Sequence, residues 1–236
     1  MKKILGIIPA RGGSKSIPNK NITNVLGKPL ISYTIESALK AQEDGFIDEL
    51  IVSTDSIMIQ NEVKRIADIV PFTRPSEISR DDSLSIEYVI HAIDYYRSIG
   101  VKFTDVIVLQ PTSPLRNSQD ISNAVKIYRK NRGKSLISCY REDSININKL
   151  YHVEDEIGLG VSNNHYKGIR RQDIKPLYVR NGAIFITDVS YLLKNHLLVS
   201  KNPLVYVMPK NRSIDIDHKQ DLIDVINYFE ANQILN

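Results

Sequence analysis

Between Ile4 and Tyr140 the chain alternates short, unbroken apolar runs with stretches whose apolar side chains recur at three- and four-residue spacing. The first run, Ile4 to Ile8, has no polar face and predicts a strand buried on both sides. A helix is predicted from Pro29 to about Ala41, with Ile31, Ile35, Ala38 and Leu39 along one side and Pro29 suited to the first turn. A second strand falls at Glu49 to Thr54. A helix capped by Asp55-Ser56 then carries Ile59, Val63 and Ile66, and a third strand is predicted at Ile69-Val70-Pro71-Phe72. From Asp82 the positions Ile86, Val89, Ile90 and Ile93 trace another helix, and Asp105 to Leu109 reads as a further buried strand. A helix with Ile121, Ala124, Val125 and Tyr128 leads to a strand from Ser135 to Tyr140. Helices laid across both faces of a sheet bury such a pattern, so the expected fold class is α/β, a doubly wound and mostly parallel sheet. Ligands of such sheets sit at the carboxyl ends of the strands.

The alternation stops between Arg141 and Leu177, where charged and amide residues outnumber apolar ones. Tyr151-His152-Val153 and Ile157-Gly158-Leu159, separated by Glu154-Asp155-Glu156, predict a β-hairpin that projects from the sheet. Regular structure is expected to resume at Gly182 to Ile186, followed by a helix from about Val189 to Asn195, a strand from Leu204 to Met208 and a last helix. That helix carries Leu222, Val225, Ile226 and Phe229 on one face. With 236 residues, 42% of them hydrophobic, and no linker or repeat, residues 1–236 are expected to form one domain with an arm inserted at about 141–177. The 31 basic and 27 acidic residues form no block, so the net charge of +4 tolerates an anionic substrate without implying nucleic acid. Cys139 is the only cysteine and no apolar run approaches the length of a membrane span. Neither an internal disulfide nor a membrane segment is expected, and a reducing cytoplasm fits best.

Three stretches carry chemistry. The first strand runs into Pro9-Ala10-Arg11-Gly12-Gly13-Ser14-Lys15-Ser16-Ile17-Pro18-Asn19-Lys20-Asn21. Adjacent glycines let a backbone approach an anion and turn its N–H groups inward, while Arg11, Lys15 and Lys20 supply cations, as a triphosphate cradle needs. An ordinary surface turn would look similar. The loop lacks the glycine spacing of dinucleotide-binding and P-loop motifs, which excludes those two readings. The second stretch, Gln110-Pro111-Thr112-Ser113-Pro114-Leu115-Arg116, follows a buried strand and packs amide, hydroxyl and guanidinium groups into a turn flanked by prolines. Its Ser and Thr also suit the cap of a helix starting near Ser118; Gln110 does not. In the third, Ser213-Ile214-Asp215-Ile216-Asp217, alternation puts both carboxylates on one side of an extended segment. They can share a metal, or stand exposed with one capping the final helix. His91, His152, His165, His196 and His218 show no zinc-ligand spacing.

Pro9 to Asn21 and Leu109 to Arg116 together resemble the acylneuraminate cytidylyltransferase family, which activates sialic, legionaminic and pseudaminic acids, and the likeness spans nearly the whole chain. It implies a Rossmann-like nucleotidyltransferase fold and an enzyme that joins CTP to a nine-carbon 2-keto acid sugar, giving CMP-sugar and pyrophosphate for cell-surface polysaccharide. Nucleotide contacts then fall to Arg11, Gly12, Gly13, Ser14, Lys15, Lys20 and Asn21, with Arg74, Ser85 and Asn181. Sugar contacts fall to Gln110, Thr112, Ser113 and Arg171, and to Lys149 lent across a homodimer built on the arm. Asp215 and Asp217 become the Mg²⁺ site, with Mn²⁺ as a substitute, and share catalysis with Lys20 and Arg11. Where the family often has an arginine two residues before the asparagine, this chain has Val179 and places Arg180 next to Asn181, so the role of Arg180 stays open. An eight-carbon sugar and a non-catalytic nucleotide-binding protein remain the alternatives.

Overall fold

The computed structural model describes residues 3–14, 16–168, 170 and 175–232. The strands are β1 (Ile4–Pro9), β2 (Asn24–Val25), β3 (Lys28–Pro29), β4 (Glu49–Ser53), β5 (Asp105–Leu109), β6 (Ser135–Glu142), β7 (Tyr151–Glu154), β8 (Ile157–Gly160), β9 (Leu177–Asp188) and β10 (Leu204–Met208). The α-helices are α1 (Leu30–Glu43), α2 (Ile57–Lys64), α3 (Ser85–Ser98), α4 (Ser118–Asn131), α5 (Val189–Asn195) and α6 (Lys219–Ala231). Six strands form the main sheet in the order β10-β6-β9-β5-β1-β4, with β9 antiparallel to both its neighbours and every other adjacent pair parallel.

Burial explains the order. β1 lies inside the sheet with Ile4, Leu5, Ile7 and Ile8 fully buried, and β5 is buried at every position, as runs without a polar face require. On one face Ile31 and Ile35 of α1, Ile59 and Val63 of α2 and Ile121, Val125 and Tyr128 of α4 join the core; on the other, Tyr88, Val89 and Ile93 of α3 and Val189 and Leu192 of α5 do. A third, smaller cluster matters more for the site. Ile17 from the loop after β1, Leu115 from the turn after β5, Ile216 from the acidic segment and Val225 and Phe229 from α6 pack together. Phe229 stacks on Tyr33 of α1 with ring centroids 4.7 Å apart.

Several boundaries differ from expectation for local reasons. Ile69 to Phe72 is not a strand: Pro71 has no N–H to give a ladder, and the connection touches the sheet edge through Val52 N to Ile69 O (2.8 Å) and Arg74 N to Thr54 O (2.8 Å). α3 begins at Ser85 rather than Asp82, because the Glu87 carboxylate accepts the Leu84 N–H at 2.7 Å and closes the first turn there. α4 is capped by Asn117, whose side chain accepts from Asp120 N at 2.9 Å, and not by the Ser and Thr upstream. β9 starts at Leu177, before Gly182, so part of the irregular stretch belongs to the main sheet. The β7–β8 hairpin forms as predicted and stands away from the core, with Tyr151, Val153, Ile157 and Leu159 exposed.

One ion pair holds the acidic segment to the sheet. Asp120, 1% exposed in the first turn of α4, accepts from both terminal nitrogens of Arg212 and from the Tyr206 hydroxyl (2.8 Å). Arg212 ends the 3-10 turn Lys210–Arg212, from which the chain runs directly into Ser213 to Asp217. Removing one member of a buried pair leaves the other charge uncompensated, so Asp120→Ala is expected to lower stability by about 3 kcal/mol. Asp120→Asn, which keeps one acceptor oxygen for either the cap or Tyr206, should lose less. Urea unfolding measures both; wild-type stability in Asp120→Ala would show that this pair is not the anchor.

Candidate active site

The carboxyl ends of β1 and β5 open into a cleft of about 480 Å³, and all three chemistry-bearing stretches reach it. Its lining includes Arg11, Gly13, Ser14, Lys20 and Asn21 from the loop after β1, Gln110 and Thr112 from the turn after β5, and Asp215 and Asp217. Arg74 and Ser85 complete the set of expected residues found there. Gly12, Ser113, Asn181 and Lys149 are outside the lining. Lys15 and Arg171 lie outside the described residues.

The loop after β1 is held both by its own far end and by the connection after β4. Asn21, buried, donates its amide to the Arg11 carbonyl at 3.0 Å. Gly12 donates its N–H to Asp55 Oδ1 at 2.9 Å, so that group is committed and is not turned toward the cleft as the paired glycines suggested. A glycine is required at this position because a Cβ would lie 2.9 Å from Ser56 Cβ; at Gly13 a Cβ would meet nothing. The Arg11 guanidinium pairs with Asp81 across the cleft. Asp81, Arg80, Ser79, Ser83 and Tyr88 all line the site, and sequence reading missed them: the first four are polar residues in an irregular connection, which carry no periodic signal, and Tyr88 sits on the buried side of α3, where it reads as core.

Lys20 joins the two ends of the chain. Its ammonium donates to Ile216 O at 2.6 Å and sits 3.4 Å from Asp217 Oδ1. Ile216 N in turn donates to Thr112 O at 2.8 Å. With Ile216 buried, Asp215 and Asp217 stand exposed on the opposite side, the arrangement that alternation predicts. His218 is the N-cap residue of α6, and the carboxylate that closes its first turn is that of Asp221, which accepts from Asp217 N (2.8 Å) and His218 N (2.6 Å). Although Asp215 reaches solvent in the cleft, the protein packed around it partly desolvates its carboxyl and raises it above the ordinary carboxylate range; the Thr112 hydroxyl and Lys20 oppose this, and the Asp217 charge adds to it. Gly182, at φ +74°, makes room for Asp215: a Cβ there would lie 3.0 Å from Asp215 Oδ2. Two like charges against one wall form a donor set suited to a hard divalent ion. Among the described residues no group of three His, Cys, Asp or Glu side chains gathers, so other oxygens would have to complete such a site.

Arginines in the two halves of the cleft behave differently. Arg116, read from sequence as part of the recognition turn, is fully buried behind it and donates to Gln110 O (3.1 Å) and Ala183 O (2.9 Å). Burial pushes its pKa down to about 10. Arg74 is 4% exposed, lies 5.5 Å above the Tyr88 ring and lines the cleft. Its Nε and Nη2 have no hydrogen-bond partner among the described residues, and its nearest carboxylate, Asp55, is 3.9 Å away. Burial lowers its pKa, with Arg11 adding to the effect. Asn181 spends its amide inside the protein, accepting from Ser138 Oγ at 2.6 Å and donating to Ser213 Oγ at 2.9 Å, so it braces the acidic segment. Lys149 is exposed at the root of the hairpin. Arg180 is exposed above the Phe185 ring, with 5.7 Å to its centroid.

A doubly wound sheet whose strand-end loops present cations opposite paired carboxylates fits a nucleotidyltransferase. The profile of the cytidylyltransferase family matches residues 5–231, and the chain belongs to that family. It is 35% identical to the pseudaminic acid cytidylyltransferase of Campylobacter jejuni subsp. jejuni serotype O:2, with 93% of each chain covered. To the CMP-N,N'-diacetyllegionaminic acid synthase of Legionella pneumophila it is 33% identical over 98% of each. Identity to the N-acylneuraminate cytidylyltransferase of Escherichia coli O18:K1:H7 is 34%, over 93% of this chain and 50% of that protein. The structure of CMP:2-keto-3-deoxy-manno-octonic acid synthetase complexed with CTP superposes with a TM-score of 0.71 over 98% of this chain and 100% of the other, at 17% identity, a likeness of fold.

The unpaired donors of Arg74 generate a prediction. Burying a cation without full hydrogen bonding costs stability, and a bound anion repays it. Arg74→Met is expected to melt at or above the wild-type temperature without ligand, and to lose most of the melting-temperature rise that a saturating nucleoside triphosphate produces. An unchanged ligand-induced rise would mean that Arg74 does not face the nucleotide.

Proposed function

We propose that this chain activates a nine-carbon 2-keto acid sugar, a nonulosonate, by transferring the cytidylyl group of CTP to it. The observation that carries this reading is the convergence of the Arg11 to Asn21 loop, the Gln110 turn and the Asp215–Asp217 pair on one cleft, in a chain whose relatives are named for pseudaminic, legionaminic and acylneuraminic acids. The anomeric oxygen of the sugar bonds to the α-phosphorus as the bond to the bridging oxygen breaks, and pyrophosphate leaves with that electron pair. The hydroxyl proton goes to a carboxylate, which we assign to Asp215. Arg11 and Arg74 offset the phosphate charge, while Lys20 holds the acidic segment against the turn after β5. Asp215 and Asp217 would hold Mg²⁺, or Mn²⁺ in its place, and the ion would neutralise triphosphate and leaving pyrophosphate. The eight-carbon alternative has only fold likeness behind it, and both carboxylates stand in the cleft against a purely binding role.

The protein is further proposed to act as a homodimer in the cytoplasm. Supporting this are the exposed apolar side chains of the β7–β8 hairpin, the position of Lys149 at its root, the single cysteine, and the lack, among the described residues, of a helix long and apolar enough to cross a membrane. In this reading Lys149 and Arg171 serve the sugar carboxylate, one of them across the interface.

Incubating the protein with CTP, Mg²⁺ and a panel of 2-keto acid sugars should release pyrophosphate and yield a CMP-sugar identified by mass; UTP, ATP and GTP should turn over far less. Asp217→Asn should need more metal for half-maximal rate. Equal use of UTP, or product only from eight-carbon acids, would sink the substrate assignment. For the composite site, inactive Arg171→Ala and Lys20→Ala subunits are mixed, and recovered activity is expected; if none returns, Arg171 does not act across the interface.

A further inference from the structure

The phosphate loop is braced from within by Asn21 on the Arg11 carbonyl, and a second brace reaches it from the connection that follows β4. β1 and β4 run parallel with Pro9 opposite Ser53, and the ladder continues one step past β1, with Ala10 N donating to Ser53 O at 2.9 Å. Beyond that the β4 backbone turns away into α2, whose first turn Ser56 caps through Ile59 N. The Asp55 side chain then takes the place of the missing backbone acceptor, and its Oδ1 receives the Gly12 N–H at 2.9 Å. The fit is close on the other side too, because the Gly12 position tolerates no Cβ against Ser56. The same oxygen of Asp55 is the nearest carboxylate to the buried Arg74, at 3.9 Å from Nη2, and Arg74 N is tied to Thr54 O at 2.8 Å. Asp55 itself is not part of the cleft lining.

We infer that Asp55 is a positioning residue of the nucleotide site: through Gly12 it sets the height of the phosphate loop above the sheet, and through its charge it compensates the neighbouring Arg74. It touches no substrate. Its effect on nucleotide binding passes through a backbone N–H that only a side-chain oxygen of this length reaches. This rests on the reading that the loop takes the phosphates of CTP, and it predicts a selective defect: binding of CTP suffers more than binding of CMP, which offers the loop a single phosphate.

The test measures dissociation constants of CTP and CMP by calorimetry in the full chain, for wild type, Asp55→Ala and Asp55→Asn, with melting temperatures alongside. Loss of a charged hydrogen bond that orders the loop should weaken CTP about tenfold in Asp55→Ala and CMP by less than about threefold. Asp55→Asn, which keeps an oxygen acceptor for Gly12, should recover most of the CTP affinity. Asp55→Ser, too short to reach Gly12, serves in place of the alanine variant if that one does not fold. Equal losses for CTP and CMP would mark a general structural role, and an unchanged CTP constant, or asparagine no better than alanine, would equally overturn the inference. Failure of the wild type to bind CTP would instead overturn the proposed function, so the two failures are distinct.

Discussion

The site depends on a single contact between residues 196 apart in sequence: the Lys20 ammonium donating to the Ile216 carbonyl at 2.6 Å. It ties the cationic loop to the acidic segment with a charged hydrogen bond, beside the apolar packing of Ile17 on Ile216. The contact is shielded, with the Lys20 side chain 14% exposed, so the attraction to Asp217 at 3.4 Å is less screened than a surface pair would be. Behind it, Ile216 buries its side chain among Ile17, Leu115 and Phe229 while its N–H goes to Thr112 O. One residue thus buries apolar surface, completes a hydrogen-bonded bridge and turns its two neighbouring carboxylates outward. Arg212 on Asp120 fixes the other end of the segment.

The two buried arginines show how burial separates architecture from recognition. Among the described residues both leave Nε and Nη2 without a hydrogen-bond partner, and both have their charge penalised by burial. Arg116 is spent on the carbonyls of Gln110 and Ala183, which shapes the turn after β5 and the start of the buried part of β9, and it does not line the cleft. Arg74 does line it, and its neighbour Asp55 is too distant for a hydrogen bond. An incompletely compensated cation facing a cavity is a poor contribution to stability and a good one to anion binding, the usual compromise at a functional site.

Much of the fold was legible because burial leaves its period in the sequence. The runs at Ile4, Glu49, Asp105 and Leu204 are strands, the helices fall where apolar residues recur on one face, and the hairpin at Tyr151 to Gly160 follows from alternation around a polar turn. The same rule located the acidic pair, since alternation across a buried Ile216 is a local property. What depended on partners distant in sequence was not legible. The antiparallel insertion of β9 between β5 and β6, the use of Asp221 rather than Asp215 or Asp217 to close the first turn of α6, the retreat of Arg116 into the interior and the commitment of Gly12 to Asp55 are settled by competition among nearby groups in space. Sequence by itself therefore determined the class of fold and which residue types meet an anion; tertiary structure decided which of them face the cleft. The physical reason is that a strand or helix is specified by its own pattern of burial, whereas the role of a polar side chain is specified by whichever unpaired donor or acceptor the fold brings within about 3 Å of it.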